Sequence, residues 1–96
     1  MSSAYRVVQK RDRRETHRCV GLSEACIHWV KYPRAHEVEE VRTGTNDVVK
    51  SFPPEECCDV LRKSLAENAL YTANERQDIS KLIGDAERRL LTSDAV

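Results

Sequence analysis

The four cysteines and three histidines are the side chains of this sequence that can ligate a metal ion or act as nucleophiles. Structural zinc sites usually contain ligand pairs of the Cys-x2-Cys kind, because two such ligands reach one ion. Here six residues separate Cys19 from Cys26, and Cys57 is adjacent to Cys58. Neighbouring helical residues point about 100° apart, so this pair is poorly placed to share an ion. A zinc or thiol protein that uses Cys19, Cys26, His28 and Cys57 or Cys58 is therefore only the third hypothesis.

Nucleophilic catalysis has even less support in the sequence. Cys57 is expected near a helix start, which lowers the pKa of a thiol, but Glu55 and Glu56 beside it have the opposite effect. The chain contains no GxGxxG, P-loop or HExxH motif. We therefore predict no catalytic residue, no cofactor and no metal ligand, and we expect the cysteines to be buried thiols in a protein that is not an enzyme.

Charge is the feature that indicates a function. The net charge is zero, yet residues 1–36 contain eight Lys and Arg against three Asp and Glu, and residues 37–96 contain eight against thirteen. Such asymmetry is typical either of a protein that binds charged partners or of complementary packing within one domain or between two subunits. The leading hypothesis is a small non-enzymatic adaptor or inhibitor that binds another protein. The predicted contact residues are Arg11, Arg13, Arg14 and Arg18 in a basic hairpin and Glu37, Glu39 and Glu40 in an acidic hairpin.

A nucleic-acid-binding regulator is the alternative hypothesis. The basic hairpin 10–18 would contact phosphates, and Tyr5, Trp29 and Tyr32 would stack on bases if they were exposed. The zero net charge and the acidic residues within the basic run argue against it.

The chain shows no feature of a membrane or secreted protein. No apolar run approaches the roughly 20 residues that a membrane-spanning helix needs. The N-terminal segment MSSAYRVVQKRDRR lacks the apolar stretch of a signal peptide. We expect a cytoplasmic protein with free thiols and no contact with a membrane.

The first 52 residues have the alternation and turn signals of β-hairpins. The segment AYRVVQK alternates and HRCVGL is its expected return strand, while TGTN links a second hairpin of residues 37–43 and 47–52. The segment 23–32 is ambiguous. Its Ile, Trp, Val and Tyr content favours a strand, whereas Ser23 as N-cap and the stop before Pro33 favour a helix; we favour the strand.

The remainder of the chain predicts two helices, at 54–70 and 73–91, with one long helix over 54–91 as the open alternative. TANE at 72–75 matches a capping box. Gly84 is expected to permit close packing. The positions predicted to pack are Leu61 and Leu65 in the first helix and Ile79, Leu82, Ile83, Ala86 and Leu90 in the second.

These elements predict an α+β fold in a single domain, 1–96. An antiparallel sheet of three or four strands from residues 4–52 would be covered on one face by the helical hairpin 53–92, with a short tail at 93–96. Trp29 is expected to lie in the core or at a subunit interface. Exposed sheet edges predict a homodimer.

Overall fold

The computed structural model describes residues 3–67 and 70–94 and contains one antiparallel sheet and three helices in that part of the chain. The elements in chain order are β1 (Ser3–Gln9), β2 (Glu15–Cys19), α1 (Leu22–Val30), β3 (His36–Arg42), β4 (Val48–Phe52), α2 (Pro54–Glu67) and α3 (Ala73–Asp94). The predicted α+β class, both hairpins and the two C-terminal helices are confirmed.

The sheet order explains why a helix occupies the ambiguous segment. The strands lie in the order β2-β1-β3-β4, and every neighbouring pair is antiparallel. Because β2 and β3 both run antiparallel to β1, they are parallel to each other, and parallel strands need a crossover connection that is usually a helix. Helix α1 is that connection, so the strand favoured for residues 23–32 is wrong.

The burial pattern of α1 agrees with a helix. Its buried side chains are Ala25, Cys26, Trp29 and Val30, which share one face at the helical period. The N-cap is Gly21, without a side-chain cap, so the Ser23 cap that the sequence suggested is not used. The helix contacts β1, β2 and β3 as well as α2 and α3, and it therefore lies at the centre of the helical layer.

Trp29 and Leu61 are the largest fully buried side chains. The indole N–H of Trp29 donates to the carbonyl oxygen of His36 (3.1 Å), which satisfies its polar atom. Around these two side chains the core brings together Val7 and Val38 from the sheet. The prediction of a core position for Trp29 is confirmed.

The C-terminal helices form two elements rather than one. The N–H of Glu75 donates to Oγ1 of Thr72 and the N–H of Thr72 donates to Oε1 of Glu75, both at 3.1 Å, so the predicted capping box is present. Of the predicted packing positions, Leu61, Ile79, Ile83 and Ala86 are buried, Leu65 and Leu82 are partly buried against the core, and Leu90 lies outside the described side chains.

Gly84 does not allow close packing, contrary to expectation. A Cβ built on it meets nothing within 4 Å, so the residue faces open space on α3. Among the residues that the structure describes, no helix has the length and apolar character that crossing a bilayer requires.

Candidate functional site

The two hairpin turns have the same backbone design. In the β1–β2 turn the N–H of Gln9 donates to the carbonyl of Arg14 (2.9 Å), and the N–H of Arg13 donates to the carbonyl of Gln9 (2.8 Å). Asn46 is at the corresponding position of the β3–β4 turn, bonded to the carbonyl of Arg42. Arg13 and Asn46 have φ values of 61° and 60°. Asn tolerates this left-handed conformation, whereas Arg adopts it at a cost that other contacts must offset.

Arg13 finds those contacts on β3. Its Nη1 donates to Oε2 of Glu37 (2.7 Å) and its Nη2 donates to Oε2 of Glu39. The other oxygen of Glu39 accepts from Nε of Arg6 (3.0 Å), and the Glu39 side chain is only 3% exposed. Hydrogen bonds to Glu37 and Glu39 raise the pKa of Arg13. Glu37 and Glu39, which were predicted to contact a partner, thus bind Arg13 of the basic hairpin within the same chain.

The third acidic residue points to the opposite face of the sheet. Successive strand residues alternate between faces, and Val38 of β3 packs in the helical core. Glu39 and Glu37 therefore face away from the helices, while Glu40 lies on the helix side and accepts from Oγ of Ser3 (2.8 Å). The structure does not unite the three glutamates on one surface.

Arg18 is also paired within the chain. Its Nη2 donates to Oε1 of Glu15 (2.8 Å) and to Oδ1 of Asn46 (2.9 Å). The contact with Asn46 joins β2 to the β3–β4 turn across β1. The hydrogen bond to Glu15 raises the pKa of Arg18.

The other two arginines of the basic hairpin differ from these. Arg11 and Arg14 are exposed, and neither side chain forms an ion pair with any residue in the described part of the chain. Arg11 lies with Lys10 and Arg34 along a shallow groove of about 540 Å³, which we call the basic groove; Gln9 and Ala35 complete its lining. The groove contains three cations and no carboxylate.

The backbone holds the two sides of the basic groove together. The N–H of Lys10 donates to the carbonyl of Ala35 (2.8 Å). On the far side, Nη2 of Arg34 donates to the carbonyl of Arg89 on α3 (3.3 Å). These two hydrogen bonds hold Lys10 and Arg34 in place along the groove.

The four cysteines are free and buried, as expected. Cys26 and Cys57 lie together in the core, where the contact with Cys26, followed by burial, raises the pKa of Cys57. Burial raises the pKa of Cys58 to about 11. The four-residue zinc set considered from the sequence (Cys19, Cys26, His28 and Cys57 or Cys58) does not come together among the described residues. Only Cys19 and His28 of that set lie in a close group of possible metal ligands, and the third member of the group is Glu24.

A second groove, of about 320 Å³, collects all three histidines. His17 and His28 stack there with ring centroids 3.9 Å apart and an interplanar angle of 13°. Burial, then His17 and Lys31, lower the pKa of His28, while burial and Glu24 raise the pKa of Cys19. The sequence analysis missed Glu24, because its i,i+4 relation to His28 has meaning only on a helix.

The aromatic residues proposed to stack on bases do not form a common surface. Trp29 is 1% exposed, and Tyr5 packs against the core. Tyr32 is 66% exposed. Comparisons of this chain with protein-family models, with curated proteins and with solved structures give no match.

Proposed function

We propose that this chain is a small non-enzymatic cytoplasmic protein that binds an acidic segment of another protein, as an adaptor or inhibitor. The observation that carries the proposal is the basic groove, in which Lys10, Arg11 and Arg34 are brought together without a carboxylate in the lining. Uncompensated charges of one sign in a concave surface attract a complementary partner and accelerate its association.

The paired arginines have a supporting role in this proposal. Arg13 pairs with Glu37 and Glu39, and Arg18 pairs with Glu15. Ion pairs within the chain therefore largely neutralise the charges of these two arginines. Arg11 and Arg14 keep their charges available for a partner. Glu37 and Glu39 position the hairpin tip rather than contact the partner.

An acidic protein suits this surface better than a nucleic acid does. Proteins that bind single strands combine a basic track with aromatic side chains on which successive bases stack. Trp29 and Tyr5 are committed to the core, and the carboxylates of Glu15 and Glu37 flank the hairpin. Arg13 and Arg18 are already paired with Glu37 and Glu15, so they add little to a basic track for an extended phosphate backbone, whereas a short acidic peptide needs only the groove.

The test measures binding of a fluorescent glutamate-rich peptide and of a single-stranded oligonucleotide of equal charge, at low and high salt. We expect the peptide to bind and the double variant Arg11→Ala/Arg34→Ala to weaken it roughly tenfold. Lys81→Ala is the control, because it removes an exposed charge of α3 that does not line the groove. Equal binding of the peptide by the double variant and the control would refute the proposal that the groove is the binding site. Preference for the oligonucleotide, with the same loss in the double variant, would favour the nucleic-acid hypothesis.

Homodimerisation stays a prediction. Strand β4 is at one edge of the sheet and exposes Val48 and Val49, which are 47% and 51% accessible. An apolar edge strand is a template for pairing with a second chain. Sedimentation of the full chain, with Val49→Lys as the variant expected to be monomeric, tests this.

A further inference from the structure

Three side chains of different chemistry converge where β2 passes into α1. Cys19 ends β2, Glu24 lies in the first turn of α1 and His28 in its last. Their ligating atoms lie within 4.8 Å of one another, the one such group of three in the part of the chain that the structure describes. The i,i+4 spacing places Glu24 and His28 side by side, and the short link through Gly21 brings the end of β2 over the same helix face.

We propose that Cys19, Glu24 and His28 form a zinc-binding site. Thiolate, carboxylate and imidazole are the three side-chain ligands that zinc takes in proteins, and this mixed set suits zinc better than the all-oxygen sites of magnesium or calcium. No single residue of the three defines the site. It is defined by three convergent donors from two secondary-structure elements.

The donor geometry needs only a small contraction. At the usual zinc–ligand distances a tetrahedral site places neighbouring donors about 3.4–3.6 Å apart. The donors must therefore approach by about 1.2–1.4 Å at most, starting from the 4.8 Å limit. Cys19 is buried and fixed, whereas Glu24 is exposed and His28 is partly exposed. Rotation of these two side chains supplies the movement.

The cluster supplies three protein ligands, so a water molecule would take the fourth position around the ion. His17 is the nearest further histidine, but its ring is nearly parallel to that of His28. One ion cannot lie in the planes of two parallel rings, and a histidine ligates within its ring plane. The His17 ring instead stacks on one face of the His28 imidazole. A site with three protein ligands and one open position is the arrangement that exchanges its fourth ligand.

Metal binding at this site joins β2 to α1. The Cys19 thiol gives its proton to solvent, and the thiolate sulfur then donates an electron pair to the ion. An ion that binds the folded chain and not the unfolded chain stabilises the fold. Zinc should therefore raise the thermal unfolding midpoint.

The experiment uses the full chain, stripped with a chelator and titrated with Co²⁺ and then Zn²⁺. We expect one Co²⁺ per chain, with a near-ultraviolet thiolate-to-metal band that reports Cys19 directly, and displacement by Zn²⁺. The conservative variants Glu24→Gln and His28→Gln change one exposed and one partly exposed side chain and should fold. Each should weaken binding by about 100-fold or more, since loss of even an outer-shell partner costs about 10–100-fold.

The matched control is His36→Gln, which removes a histidine of the same groove outside the donor cluster. It should leave the affinity unchanged. Three results would overturn the proposal: a Co²⁺ spectrum without the thiolate band, wild-type affinity in Glu24→Gln or His28→Gln, or an equal loss in His36→Gln. None of these outcomes depends on the basic groove.

Discussion

Glu39 should be the most important charged residue for the stability of this fold. Its two oxygens accept from Arg6 and Arg13, and its side chain is 3% exposed. The change Glu39→Gln keeps the shape but removes the charge and turns an N–H₂ toward one guanidinium. Arg6, whose side chain is 20% exposed, is then left without its counter-charge.

The expected magnitude follows from these exposures. Breaking a fully buried ion pair by removing one partner costs about 3–5 kcal/mol, and a hydrogen bond to a charged group contributes about 1.5–3 kcal/mol. The Arg13 side chain is half exposed, so water replaces part of its lost interaction. We expect Glu39→Gln to lower the free energy of unfolding by about 2–4 kcal/mol. A domain of this size has roughly 5–15 kcal/mol in total, so the variant should still fold.

Urea unfolding at neutral pH measures this loss, and Glu37→Gln is the matched control. Glu37 has the same side chain on the same strand and pairs with Arg13, but its side chain is 41% exposed. Its loss should cost at most about 1 kcal/mol and should shrink in high salt. Equal and small losses for the two variants would refute the reasoning, because burial would then make no difference.

Three further predictions concern single sites. Arg13→Gly should be more stable than Arg13→Ala by about 1 kcal/mol in urea unfolding, because both lose the ion pairs but only glycine adopts φ 61° without strain; equal stability would contradict the strain. Gly84→Ala should raise the free energy of unfolding by about 0.5–1 kcal/mol, since its Cβ meets nothing within 4 Å. The pKa of Cys58 is raised to about 11 from the usual 9.0, so the folded chain keeps a proton that the unfolded chain loses. Stability, followed by the urea midpoint, should therefore fall as the pH rises from about 9 to about 11.

The fold was predictable where its signals are local. Alternation over AYRVVQK, the TGTN link and the Thr72–Glu75 capping box each depend on a few neighbouring residues, and the structure contains all three features. The segment 22–30 was not predictable in this way. Its strand-like composition reflects side-chain preference, whereas its helical state follows from β1 lying between β2 and β3. The position of β1 depends on pairing between segments that are distant in the sequence, which local signals do not show.

The same distinction applies to the charged residues. The sequence shows that basic and acidic parts exist, but the β1–β3 register decides that Arg6 meets Glu39. The alternation of side chains along a strand already places Glu40 on the opposite face from Glu37 and Glu39. The prediction that all three belong to one contact surface did not take this alternation into account. The close donors Cys19, Glu24 and His28 could not be grouped without the helix.

The sheet face opposite the helices gives a structural role to several of the charged side chains. Val8 and Val41 are 0% exposed on that face, although the helices pack on the other side. Long arginine side chains cover apolar surface with their methylene groups and keep the charge paired or in water. Arg6 and Arg13 are held over this face by Glu39, and the Arg18–Asn46 contact spans it. The charged side chains thus take the place of a second layer over these two valines.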